Sequence, residues 1–244
     1  MRSVIDPMPA VTEPRLGDFL AVNRGGGLFS EAVSQRFGAA IALSAARMGL
    51  SPSALTLANL VLGVAASVGV VALAPAMARG AVPAWVVGLA ALVAWQVAYA
   101  LDCADGQLAR VTGRSSAAGA RLDILCDVAA QIGLVSAVAS VAFAYRPDTP
   151  VWLATAFAGT WMVNLVTSVM QWGPHAASMV PSRSAAVRVV KLVRDPGVIF
   201  LAAGLVLAVV PQWTVVGLWA FTAVNGGFLL ASIAFSAARS SRPA

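Results

Sequence analysis

The sequence predicts an all-α integral membrane protein: six transmembrane helices preceded by an N-terminal interfacial amphipathic helix. Three observations carry that expectation. The 244 residues are 59% hydrophobic and 11% charged, against about one-quarter charged in a soluble domain, and mean hydropathy is +0.84. Six apolar runs approach the roughly 20 residues that a helix needs to cross a bilayer. Of the 16 basic residues, all but Arg79 and Arg146 fall at the chain ends or in alternate connections between those runs. A closed β-barrel would instead show short alternating strands.

Taken in order, residues 1–27 contain three prolines, scattered charges and the run Gly25-Gly26-Gly27. They are expected to form a loosely ordered segment, and no basic start followed by an early apolar core marks a signal peptide. Residues 28–50 place Leu28, Phe29, Val33, Phe37, Ile41 and Leu43 at helical spacing among Glu31, Gln35, Arg36 and Arg47. That pattern suits a helix lying on a leaflet surface. Residues 51–238 form the membrane domain, with spans expected at 53–76, 83–106, 119–144, 150–172, 187–210 and 213–236; residues 239–244 are a polar tail. The fifth run is clean only from Pro196 to Val210, so its start would be helix with charges on one face.

The positive-inside rule puts the basic side, with both termini, in the cytoplasm. Trp85, Trp152, Trp161, Trp172 and Trp213 lie mostly near span ends, where interfacial belts form. The net charge of +6 suits anionic lipid headgroups and calls for no nucleic acid. Cys103 and Cys126 are too few for a disulfide framework.

Four of the chain's ten acidic residues sit between residues 101 and 130: Asp102, Asp105, Asp123 and Asp127. The first two are three apart and the last two four apart, so each pair shares one helix face. A short basic loop makes the two helices antiparallel neighbours and brings both pairs to one depth. A single aspartate near the middle of a span costs roughly 2.5–3.5 kcal/mol on insertion scales. Four together need cancelling charge. Two divalent cations would supply it, and an all-carboxylate donor set points to Mg²⁺ or Mn²⁺ rather than zinc. Paired ions of this kind serve phosphoryl chemistry.

The stretch reads Asp102-x-x-Asp105-Gly106-x-x-Ala109-Arg110, eight residues, then Gly119-x-x-x-Asp123-x-x-x-Asp127. It resembles the signature of the CDP-alcohol phosphotransferases, with eight fixed positions filled, and the span layout resembles that family's as well. The resemblance implies an enzyme of the bacterial or plasma membrane type that transfers a substituted phosphate from CDP-diacylglycerol, or a similar CDP-alcohol, to a small alcohol, releasing CMP. It implies that Asp102, Asp105 and Asp123 hold two metal ions. Asp127 is either a further ligand or the general base. Gly106, Ala109, Arg110 and Gly119 would meet the nucleotide, with Thr56 of the weak motif Pro52-x-x-x-Thr56 beside them. Homodimers are common in the family.

Arg188, Lys191 and Arg194 form one helical stripe and are expected to anchor an acceptor phosphate, as inositol phosphate or glycerol phosphate would need. Against inositol phosphate, no basic residue lies within the fourth or sixth span. Serine or another unphosphorylated alcohol is the alternative acceptor. From a different class, four intramembrane aspartates also suit a cation transporter. Alanine richness and arginine far exceeding lysine suggest a GC-rich bacterial source.

Overall fold

The structure is a computed structural model, and it describes residues 13–23, 27–170, 192 and 195–240. Among them every regular element is helical. A short α1 (Leu16–Ala21) leads to a π-helical turn, Ser30–Ser34, which runs directly into α2 (Gln35–Arg47). Four long helices dominate the rest: α3 (Pro52–Ala78), α4 (Ala84–Val111), α5 (Ala117–Tyr145) and α8 (Thr214–Ser240). Between α5 and α8 lie α6 (Val151–Met170) and α7 (Pro196–Val209).

α3, α4, α5 and the segment Pro211–Ala237 are long and apolar enough to cross a membrane. The six expected spans stand at four by that measure, because α6 and α7 contribute only the shorter apolar stretches Val151–Val163 and Pro196–Val209. At 1.5 Å per residue α7 spans about 21 Å, short of a hydrocarbon core about 30 Å thick. The expected continuous helix over 187–210 is broken at Asp195. That residue is extended (φ −67, ψ 120) and caps α7 from outside, its carboxylate accepting from Gly197 N. A proline at 196 disfavours helix in the residue before it and suits the first helical position, so the break is local chemistry.

The bundle is built around α3. It packs against both α4 and α5, which touch each other little. A Cβ placed on Gly63 would sit 3.7 Å from Ala98 of α4 and 3.7 Å from Ala130 of α5. Midway along, Trp95 Nε1 donates to Ser67 Oγ at 3.1 Å, and Ser67 Oγ donates to the Gly63 carbonyl at 2.8 Å. α4 and α7 approach through reciprocal glycines, Gly88 against the Ala208 backbone and Gly204 against Leu92. Backbone proximity of this kind supplies the van der Waals contact that holds helices together where lipid is as apolar as leucine. The core continues through Phe157 and Trp161 of α6 and Phe221 of α8, with Trp161 stacked on Phe221 at 4.6 Å between ring centroids. Trp161 is therefore a core residue, not an interfacial one; Trp85, Trp152 and Trp213 are exposed.

The N-terminal region departs from expectation. Residues 13–23 fold onto the bundle through α1, whose Phe19 is fully buried against Ala39, Ala42, Ala45, Leu55, Ala104 and Leu108. α2 packs on α4 at Gly38, where a Cβ would lie 2.9 Å from Cys103 Cβ and 3.1 Å from the Ala100 carbonyl. Its alanine face meets α4, while Phe37 and Met48 are exposed.

Candidate active site

α4 carries Asp102 and Asp105 in its last three turns and ends just past them, where Gly113 takes φ +67. Only glycine enters that left-handed conformation cheaply, so the chain turns there without strain. α5 then starts at Ala117, capped by Ser116 seven residues before Asp123, whose hydroxyl accepts from Gly119 N at 3.0 Å and fixes the helix start. Both acidic pairs thus reach the same end of the bundle. α4 and α5 come together there while α3 holds them apart along most of their length.

Carboxylate oxygens of Asp102, Asp123 and Asp127 all lie within 4.8 Å of one another. Each side chain is half-buried. Asp123 Oδ1 is buried and has no hydrogen-bond partner. A buried carboxylate oxygen without a donor is costly unless a cation meets it. Three hard oxygen donors with one orphaned atom among them fit Mg²⁺ or Mn²⁺.

Asp105 stands beside this group, not in it. It is buried, and Thr56 Oγ1 of α3 donates to its Oδ2 at 2.5 Å. Asn59, one turn further along α3, donates from Nδ2 to Asp102 Oδ1 at 3.4 Å. α3 thereby supplies a polar neighbour to each aspartate of α4. Thr56, expected beside the nucleotide, donates to a carboxylate of the site.

The remaining motif positions gather at the same end. The guanidinium of Arg110 folds back over Gly106, where a Cβ would come 2.9 Å from Nη1, and its charge faces Asp123. A Cβ on Gly119 would lie 3.1 Å from Ser116 Oγ, so this glycine is held by the helix cap. Ala109 is half-buried. Arg188, Lys191 and Arg194, the expected acceptor anchors, lie outside the described residues.

Two residues with clear structural roles here carry no strong sequence signal. Gln107, 1% exposed, donates from Nε2 to Asn23 Oδ1 at 2.5 Å and to the Gln35 carbonyl at 3.0 Å, tying the N-terminal segment and α2 to α4. Asp195 accepts from Phe29 N and Ser30 N, both at 3.0 Å, and from Ser30 Oγ. The dipeptide Asp195-Pro196, a favoured cap and first-turn pair, is the sequence signal for its place at the start of α7.

A helical membrane bundle with a carboxylate cluster where two spans meet suits a transferase or an ion-handling protein. Residues 49–225, well over half of the chain, match the CDP-alcohol phosphatidyltransferase family. The chain belongs to that family, and its members are transferases of substituted phosphate groups. No curated protein matches the sequence.

Proposed function

We propose that the protein transfers a phosphatidyl group from CDP-diacylglycerol to a small phosphorylated alcohol, inositol phosphate or glycerol phosphate, and releases CMP. The supporting observation is the carboxylate trio from two neighbouring helices with its orphaned Asp123 oxygen. On this reading Asp102, Asp105, Asp123 and Asp127 would hold two divalent ions. The ions, when bound, neutralise the pyrophosphate and the leaving CMP. Arg110 sits where it can leave Asp123 for a donor phosphate, a planar cation suited to two phosphate oxygens. Gly106, Ala109 and Gly119 keep the helix ends narrow around the nucleotide.

The acceptor hydroxyl oxygen attacks the phosphatidyl phosphorus. Its proton passes to Asp127, and the bond to CMP breaks with the electron pair leaving on CMP. Asp127 serves as base because it shares the trio's space while lying a full turn further along α5 than Asp123. The donor's acyl chains stay in the bilayer beside the apolar faces of α3 and α5. Arg194, with Lys191 and Arg188, binds the acceptor's own phosphate. Six helices cross a bacterial inner membrane, both termini and the acidic cluster face the cytoplasm, and α2 lies on the leaflet; a homodimer is the working assembly.

The test is an acceptor screen on purified protein with CDP-diacylglycerol and Mg²⁺ or Mn²⁺, detecting CMP. Release dependent on a phosphorylated alcohol supports the reading, and release with serine alone reassigns the acceptor. Arg194→Ala should raise the acceptor KM; an unchanged value removes that anchor.

A further inference from the structure

Residues 13–23 lie outside the stretch that matches the family, yet they are built into the site. α1 starts with a reciprocal cap, Asp18 Oδ2 accepting from Arg15 N at 2.7 Å. Phe19 pins it against α2, α3 and α4 with no exposed surface. The chain leaving α1 then passes beside the motif. There Asn23 Oδ1 takes its hydrogen bond from Gln107, which lies between Gly106 and Ala109.

Between this segment and the start of α5 is a cleft of about 390 Å³ lined by Ala21, Val22, Asn23, Arg110 and Ser115. Its volume falls within the range of small-molecule sites. Its lining offers one cation, one amide and one hydroxyl, with no carboxylate. Arg110 joins the cleft to the acidic cluster, since the same guanidinium that lines it faces Asp123. Asn23 spends its oxygen on Gln107, and among the described residues its Nδ2 has no acceptor. Gln107 Oε1 is buried without a hydrogen-bond partner.

We propose that residues 21–23 and Ser115 form the outer wall of the donor's nucleotide site, Asn23 and Ser115 holding the base and sugar of a nucleoside diphosphate whose phosphates face Arg110 and the aspartates. The inference rests on the transferase reading above and adds to it an N-terminal strap outside the matched stretch. A neutral donor and a hydroxyl suit a nucleoside; a cation that faces one carboxylate of the trio suits a metal-bound phosphate. An acyl chain would find too little apolar wall here, and the cleft lies at the bundle end, away from the lipid-facing stretches of α3 and α5.

The test uses the full chain in detergent and CDP with Mg²⁺ as the probe. Wild-type binding is measured first by calorimetry. Ser115→Cys is then labelled with a maleimide, the wild type with Cys103 and Cys126 giving the background. Saturating CDP should slow labelling about tenfold or more. Asn23→Ala should weaken CDP binding about fivefold, the size of one net hydrogen bond. Asn23→Asp separates contact from scaffolding. It keeps the oxygen that Gln107 needs but turns the free donor into an anion, so it should bind CDP more weakly than Asn23→Ala does. Should wild type bind CDP while Ser115→Cys labels at one rate with and without it, or while Asn23→Asp binds as wild type does, the strap is only structural. A wild type that binds no CDP overturns the transferase reading itself and this wall with it.

Discussion

Asp195 accepts a hydrogen bond from the backbone of Ser30, a residue 165 positions earlier in the chain. The same carboxylate takes Phe29 N, the Ser30 hydroxyl and its own helix's Gly197 N, so one side chain caps two helices. There is no room for substitution around it. A Cβ on Gly27 would strike the carboxylate, and one on Gly197 would lie 2.6 Å from the Phe29 ring. Ser30 Oγ and Tyr99 OH stand 2.9 Å apart, which links the corner to α4 one turn before Asp102.

Asp195→Ala is therefore expected to destabilise the protein by on the order of 2–3 kcal/mol, since it orphans the first amides of two helices at once. Asp195→Asn keeps one acceptor oxygen and should fall in between. Thermal unfolding in detergent measures both. An Asp195→Ala midpoint equal to wild type would mean that water replaces the carboxylate.

Thr56 orients Asp105 from a different helix, and Thr56→Val removes the donor at nearly constant volume. The buried carboxylate then loses a hydrogen bond whose absence costs roughly 1–3 kcal/mol. Turnover should drop, and the Mg²⁺ concentration needed for half-maximal CMP release should shift. Thr56→Ser retains the hydroxyl and should restore both. Loss in the two variants alike would assign Thr56 to packing.

The reciprocal glycines of α4 and α7 give a packing test. Gly88→Leu or Gly204→Leu would drive a side chain into Ala208 or Leu92, an overpacking cost of typically 1–3 kcal/mol or more. Gly69→Ala on α3 meets nothing within 4 Å and should leave the unfolding midpoint level or raised. Equal midpoints for all three would mean that α4 and α7 do not cross where described.

How much of this was legible in the sequence depends on the range of the interaction. α3, α4, α5 and α8 follow from unbroken apolar runs, and the aspartate spacing alone places Asp123 and Asp127 on one helix face. The break at Asp195 follows from a dipeptide that the apolar run around it obscured. What Asp195 caps could not be read, because its partners belong to another helix far away in sequence. Nor could the wedge of α3 between α4 and α5: a short loop favours antiparallel neighbours but says nothing of a third helix between them. Phe19 shows the same limit at small scale. Six residues are too few for a helical period to register, and only the pocket made by Ala39, Ala42 and Ala104 explains why they fold.

The aspartate trio leads to the most decisive prediction. Three carboxylates within 4.8 Å of one another repel when all are ionised unless a cation sits among them, so the proposed transfer should fail when divalent ions are removed. Chelation alone does not separate a transferase from a carrier, since both need the ion. The substitutions do. Asp127→Asn leaves an oxygen that can still ligate a cation but cannot accept the acceptor's proton, so CMP release should fall about 10²- to 10⁴-fold while Mn²⁺ binding persists within a few fold. Asp123→Asn removes charge from the orphaned ligand and should weaken Mn²⁺ binding and turnover together. In sealed vesicles neither protein should move Mn²⁺ across the membrane. Mn²⁺ flux through wild type without nucleotide, abolished by Asp123→Asn, would make the cluster a transport path. Unchanged turnover in Asp127→Asn would leave the cluster catalytic but require another base.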